Sequence, residues 1–404
     1  MVGHFSGSDS LAAVGSTTFL INILVNFFIG FSIGVNVLVG RYCGAKEKQN
    51  VLDTIHTSVL FSLVSGLFLA AAGQFVSAPL LRLSGVPEEI LPQAALYMKI
   101  YFAGSPAILL YNFCAAILRA GGDTKRPLYS LFAAGILNVI LNLVFVIGFG
   151  MAIGGVALAT VLSQVLSAVL VVRRLMRSEY RLDPRSLRIH WQKLKEIIGL
   201  GLPAGLQNVL FSFSNALIQS SINSFGSVAI AGSTAAMNLD SFLFAATNAV
   251  SQAALTFISQ NMGARRYDRL NRVLGVGLGL GVAFSLLIGI PMTVFGEQLM
   301  RIYTTDPAVI ESGMIRVVMV FPPYFLCSIM YILASAIRGM GHSTAPMIVS
   351  VVGVCGIRVL WVFLVFPAFP TLQVLYLSYI CTWIPTITAH LICYFHYRRE
   401  LKAA

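Results

Sequence analysis

Eleven apolar runs, each as long as the roughly 20 residues that a helix needs to cross a bilayer, divide this chain. They fall at about 11–40, 51–80, 94–118, 128–149, 155–175, 197–222, 228–260, 273–295, 314–337, 346–369 and 372–395. Hydrocarbon offers no hydrogen-bond partner to a backbone amide, so runs of this kind span as helices with their backbone bonds closed internally. A mean hydropathy of +0.84, with only 10% charged residues, leaves no room for a soluble domain of any size. The expectation is an all-α polytopic membrane protein with eleven spans.

A second constraint is duplication. Gly44 and Ala45 return as Gly263 and Ala264, Arg82 as Arg301, Phe102 as Phe321, Ala115 as Ala334, Arg119 as Arg338, Gly122 as Gly341 and Pro127 as Pro346, each pair 219 residues apart. One offset shared by loops and apolar runs marks two copies of one helical bundle, an architecture common among secondary transporters. The run at 197–222 has no counterpart 219 residues earlier, so the first copy reads as lacking its opening helix. A complete copy has six helices, an even number, which places matching loops on one face and predicts a pseudo-two-fold axis along the membrane normal. The expected divisions are an N-terminal lobe at 1–176, a cytoplasmic linker at 177–195 and a C-terminal lobe at 196–404.

The net charge of +12 is explained by position. Most Lys and Arg lie in alternate connections: Arg41, Lys46 and Lys48; Arg119, Lys125 and Arg126; the run from Arg173 to Lys195; Arg265, Arg266, Arg269 and Arg272; Arg338; and the tail. These connections share one face, which the positive-inside rule makes cytoplasmic, so the charge is a topological signal and not a nucleic-acid footprint. The six cysteines show no paired metal-ligand spacing and are read as packing residues. Pro106, Pro203, Pro291, Pro322, Pro323 and Pro385 lie inside spans, where each removes a backbone donor and predicts a bend.

A carboxylate in hydrocarbon is costly and by default functional. Of the fifteen acidic residues only Asp240 falls well inside a span; Thr247 and Ser251 share its helical face, with Asn248 and Gln252 flanking. Two readings of Asp240 stand side by side: a site for a coupling Na⁺ or H⁺, or a structural pair with Arg358, which is similarly isolated. Burial alone favours a protonated acid, which suits H⁺, whereas a neighbouring arginine favours the ion, which suits Na⁺. Gln207, Asn215, Gln219 and Asn223 track along one face of the 197–222 helix, and Asn138 and Asn142, one turn apart, join Asn112 in the first copy. Each is singly explained by hydrogen bonding between helices; as a set they suit a wet cavity, with Tyr111, Tyr324, Tyr331, Phe211, Phe213 and Met237 as an aromatic and adaptable wall. His390 is read as a packing histidine, and Asp123 and Thr124 as the residues that fix a turn and its Arg119. No span holds the carboxylate pair or nucleophile and base that an intramembrane enzyme would need.

Several motifs also carry a resemblance. They are the run Arg119-Ala120-Gly121-Gly122-Asp123-Thr124-Lys125-Arg126-Pro127; Met1-Val2-Gly3-His4-Phe5 leading into Leu11-Ala12-Ala13-Val14-Gly15; Gly154 to Thr160; and Gly199 to Pro203 followed by Gln260-Asn261-Met262-Gly263-Ala264. In order and spacing the chain resembles the multidrug and toxic compound extrusion (MATE) family. That resemblance implies twelve helices in two six-helix lobes that open alternately to either side, and export of an organic cation or amphipathic compound in exchange for entering Na⁺ or H⁺, with no cofactor. A monomer in a prokaryotic plasma membrane is expected. Family members carry an acidic residue just before the Val-Gly that stands here as Val2-Gly3, so an ion-site residue of the family falls outside this sequence. Asn142 occupies a position where some members have Asp. A lipid-linked oligosaccharide flippase of the same superfamily is the alternative; it calls for several basic cavity residues, for which Arg358, Lys99 and Arg316 are the candidates.

Overall fold

A computed structural model describes residues 7–180, 182–183 and 186–403. The opening run Met1 to Phe5 and, in the connector, Arg181, Pro184 and Arg185 lie outside the described residues. Among those described there is no strand, and the chain separates into two compact units, Met1–Val209 and Leu210–Ala404.

The first unit contains α1 (Gly7–Ala45), α2 (Lys48–Leu83), α3 (Leu91–Ala103), α4 (Ser105–Ala120), α5 (Lys125–Asn142) continuing through a π-helical turn at Leu143–Gly148, and α6 (Ala152–Leu175). α7 (Trp191–Asn223) gives its first half to this unit and its second half to the next. The second unit adds α8 (Ser227–Gly263), α9 (Leu270–Val294), α10 (Gly296–Met300), α11 (Pro307–Val320), α12 (Tyr324–Gly339), α13 (Thr344–Ser350), α14 (Ile357–Leu360) and α15 (Leu372–Ala403). Among the described residues nine helices are long and apolar enough to cross a membrane, and counting the bent pairs α3–α4 and α11–α12 as one span each gives the eleven expected.

The duplication is legible in the backbone as well as in the letters. α3–α4 bends by 44° beside Gly104 and α11–α12 by 52° beside Pro322-Pro323, at matching positions. Lys46 (φ 59°) and Arg265 (φ 54°) are the only described non-glycine residues with positive φ, and they too are separated by the repeat offset. Such conformations are rare for residues with a Cβ. Gly122 (φ 91°) and Gly341 (φ 100°) close matching helix ends, where the Gly122 N–H bonds to the Arg119 carbonyl and the Gly341 N–H to that of Arg338.

Two sequence expectations are corrected here. Arg119 and Arg338 belong to no loop. They occupy the last turns of α4 and α12, where a cation complements the negative end of the helix dipole, and Arg338 is buried. Asp123 does not hold Arg119: its carboxylate accepts from Arg126 at 2.9 Å and Arg174 at 3.2 Å, tying the turn to α6.

Glycine pairs permit close helix approaches. A Cβ on Gly30 of α1 would lie 2.3 Å from the Cα of Gly205 on α7, and one on Gly201 2.5 Å from the Cα of Phe31. Gly30 and Gly34 on one helix and Gly201 and Gly205 on the other repeat the small-xxx-small pattern that lets backbones touch where lipid supplies no hydrophobic drive. In the second unit Gly232 of α8 meets Gly313 of α11 in the same way, the built Cβ falling 2.7 Å from the Gly313 nitrogen.

Candidate functional site

The Gly232–Gly313 approach draws α8 and α11 together, and the polar consequence appears further along both helices. Asp240 on α8 accepts through Oδ2 from the Arg316 guanidinium on α11 at 2.8 Å. The arginine side chain is 4% exposed and the carboxylate 18%. Desolvating two charges costs several kcal/mol per ion unless the pair is well made and its other atoms are satisfied, and here they are not all satisfied. Asp240 Oδ1 and Arg316 Nε are buried with no hydrogen-bond partner.

Arg358 is therefore not the partner of Asp240. It lies on α14, buried, and donates from Nη1 to Asn215 Oδ1 on α7 at 2.9 Å. Its Nε is unbonded, and no carboxylate among the described residues pairs with it. Both guanidiniums converge on α15: Arg358 lies 4.3 Å from the centre of the Tyr379 ring, while Arg316 lies 5.5 Å from the centres of both Tyr376 and Tyr379. When desolvated, a cation over such a ring gains about 2 kcal/mol. Spacing could not have revealed these pairings, because which helices are neighbours is a tertiary fact. The one available signal for Arg316 was its isolation at the start of an apolar run.

An aromatic arc completes the arrangement. Phe244, one turn beyond Asp240, is 43% exposed and stands edge-on to Tyr331 with centroids 5.7 Å apart; Tyr331 in turn meets Phe211 at 6.5 Å. Phe211 lies one turn before Asn215. Direct contacts, joined by the one-turn steps from Asn215 to Phe211 and from Phe244 to Asp240 on their helices, thus link Arg358, Asn215, Phe211, Tyr331, Phe244, Asp240, Arg316 and Tyr379. Three of these residues are charged, one is an amide and four are aromatic. Repeat-equivalent positions in the first unit hold Ile21, Tyr97 and Val139 in place of Asp240, Arg316 and Arg358, so the charges belong to one copy only.

Of the residues singled out in the sequence, Asp240, Asn215, Tyr331 and Arg358 come together here. Gln219 lies one turn beyond Asn215 and donates to Asn223 at 3.1 Å. Asn248 and Gln252 lie two and three turns along α8 from Asp240. In the first unit, Asn112, Asn138 and Asn142 make their bonds to residues of that unit. Asn142 donates to the Asn138 carbonyl at 2.8 Å and side-chain oxygen at 3.1 Å, Asn138 reaches Ser163 Oγ at 3.4 Å, Asn112 bonds back to the Ile108 carbonyl at 2.8 Å, and Gln207 is buried in α7. His390 is fully buried, with Nε2 3.4 Å from both Ser350 Oγ and the Pro346 carbonyl, as a packing histidine should be. Among the described residues no group of three His, Cys, Asp or Glu could hold a metal ion.

A duplicated, all-helical bundle with an isolated charge cluster inside one copy defines a polytopic membrane protein of the transporter class. A profile of the MatE family matches residues 1–144 and 203–364, and the chain belongs to that family. Its members are multidrug-efflux transporters rather than enzymes, and this chain is a multi-span protein of the plasma membrane. The chain is similar to the probable multidrug resistance protein YoeA of Bacillus subtilis, with 28% identity over 87% of this chain and 78% of that protein. It is also similar to an FAD transporter of Shewanella oneidensis, at 28% identity over 85% and 78%. A mutant of the Vibrio cholerae MATE transporter VcmN shares the fold with a TM-score of 0.88, 20% identity, and coverage of 100% of this chain and 91% of that one.

Proposed function

We propose that this transporter exports amphipathic organic compounds by alternating access in exchange for entering Na⁺ or H⁺, and that Asp240 is where the exchange is made. The observation that carries the reading is the buried Asp240–Arg316 pair with its unshared Oδ1. A coupling cation and a cationic group on the substrate both require the one carboxylate in the cluster, so they exclude each other there. Arg316 occupies it when neither is bound. The second guanidinium, Arg358, adds a requirement of its own: two positive groups against one negative favour a substrate that also carries an acceptor, held against the aromatic arc, over a compact monovalent cation. Asn215, Tyr331 and Arg358 would line the substrate; Gln219, Asn248 and Gln252 lie along its helices, while Asn112, Asn138, Asn142 and Gln207 are proposed as polar groups of the first unit.

The test is efflux of a fluorescent amphipathic dye from vesicles under an imposed Na⁺ or pH gradient. Wild type is expected to follow one of the two gradients. Asp240→Asn is expected to lose that dependence, with the driven rate down about tenfold or more, as for removal of an essential charge partner. Unchanged ion dependence in Asp240→Asn removes the residue from the coupling step.

A further inference from the structure

The second unit carries a groove away from the charge cluster. It has a volume of about 640 Å³ and runs between α8 and α9, walled by Ala253, Phe257, Val276 and Leu280. Phe257 is 55% exposed and Val276 56%, so both present apolar surface to whatever fills the groove. One end of the groove is different in kind: Arg269, in the short connection between α8 and α9, and Arg272, in the first turn of α9, stand there.

Three features separate this end from ordinary basic loop residues. Arg266, in the same connection, is matched by Asp268 at 3.2 Å, whereas neither Arg269 nor Arg272 has a carboxylate within ion-pair distance among the described residues. Both arginines line the apolar groove itself, so the charge and the trough are one surface. Their level is also defined, since this connection is one of the basic loops that the positive-inside rule assigns to the cytoplasmic face, where the headgroups of that leaflet lie. A cation pair at headgroup depth above an apolar trough is the complement of a single molecule with a phosphate at one end and hydrocarbon at the other.

We propose that the α8–α9 groove is a binding site for an anionic phospholipid of the cytoplasmic leaflet, its phosphate held by Arg269 and Arg272 and an acyl chain laid along Phe257, Val276 and Leu280. Basic pockets between membrane helices recognise anionic headgroups by this chemistry. The groove walls α8, the helix that carries Asp240, so lipid occupancy would brace that helix.

Native mass spectrometry of the full-length protein, purified in detergent with equal phosphatidylglycerol and phosphatidylcholine, tests the site. Wild type is expected to retain phosphatidylglycerol in preference. Arg269→Gln and Arg272→Gln should each reduce that preference by about fivefold, and the double variant should abolish it. Ala253→Trp, which fills the trough and leaves both arginines in place, should lose the retained lipid of either kind; circular dichroism confirms that each variant is folded. Equal retention of the two lipids by wild type overturns the proposal, as does unchanged phosphatidylglycerol retention in the double arginine variant or in Ala253→Trp.

Discussion

Asp240 gives one carboxylate oxygen to Arg316 and leaves the other buried without a donor, and this half-made pair shapes the predictions at the residue scale. Removing one member of a buried pair strands the other charge at a cost of about 3–5 kcal/mol, whereas removing both relieves the desolvation of each. Arg316→Gln is therefore expected to lower the melting temperature of the detergent-solubilised protein more than the double variant Asp240→Asn/Arg316→Gln. Thermal unfolding by circular dichroism reads the order, and a double variant less stable than Arg316→Gln contradicts it. At this scale the sequence was informative about which residues matter and silent about whom they touch. Asp240 and Arg358 were visible as charges isolated in apolar runs, but the pairing drawn from that isolation was wrong. Arg358 went instead to Asn215 and the Tyr379 ring, because adjacency of α8 to α11 and of α14 to α7 is decided by packing.

Between helices, the decisive groups are the ones without side chains. Gly30 and Gly205 allow α1 and α7 to meet at a distance that no Cβ could share, and Gly232 with Gly313 does the same for the two helices that carry Asp240 and Arg316. Gly205→Val presses two carbons against the Phe27 carbonyl, which a built Cβ already approaches to 2.4 Å, and overpacking of this kind costs about 1–3 kcal/mol. A fall in melting temperature is expected for Gly205→Val and an unchanged value for Gly199→Val, since a Cβ at Gly199 meets nothing within 4 Å. Equal effects at the two positions would mean that the approach is not a real constraint. Gly232→Val should in addition lose gradient dependence in dye efflux, by moving Asp240 away from Arg316. Spans, helix breaks at Gly104 and Pro322-Pro323, and the paired Gly122 and Gly341 turns were all legible from apolar length, proline and the repeat.

For the whole molecule, the charge cluster lies in one copy of a duplicated scaffold, with apolar or aromatic residues at the equivalent positions of the other copy. Duplication thus accounts for the shape of each unit, and divergence for the chemistry of the second. Energetics then connect the site to the cell. One positive charge entering across 100 mV releases about 2.3 kcal/mol, enough for roughly fifty-fold accumulation of a neutral solute. One-for-one exchange with a monovalent cationic dye moves no net charge, so the chemical gradient of the coupling ion must drive it and the potential should contribute nothing. The most direct measurement is export of such a dye from vesicles containing the purified chain, with the Na⁺ and pH gradients imposed separately and the potential clamped by K⁺ and valinomycin. Export that follows one inward cation gradient, is indifferent to the clamped potential and disappears in Asp240→Asn is the predicted result; dye movement at the same rate with and without either gradient would contradict exchange transport by this protein.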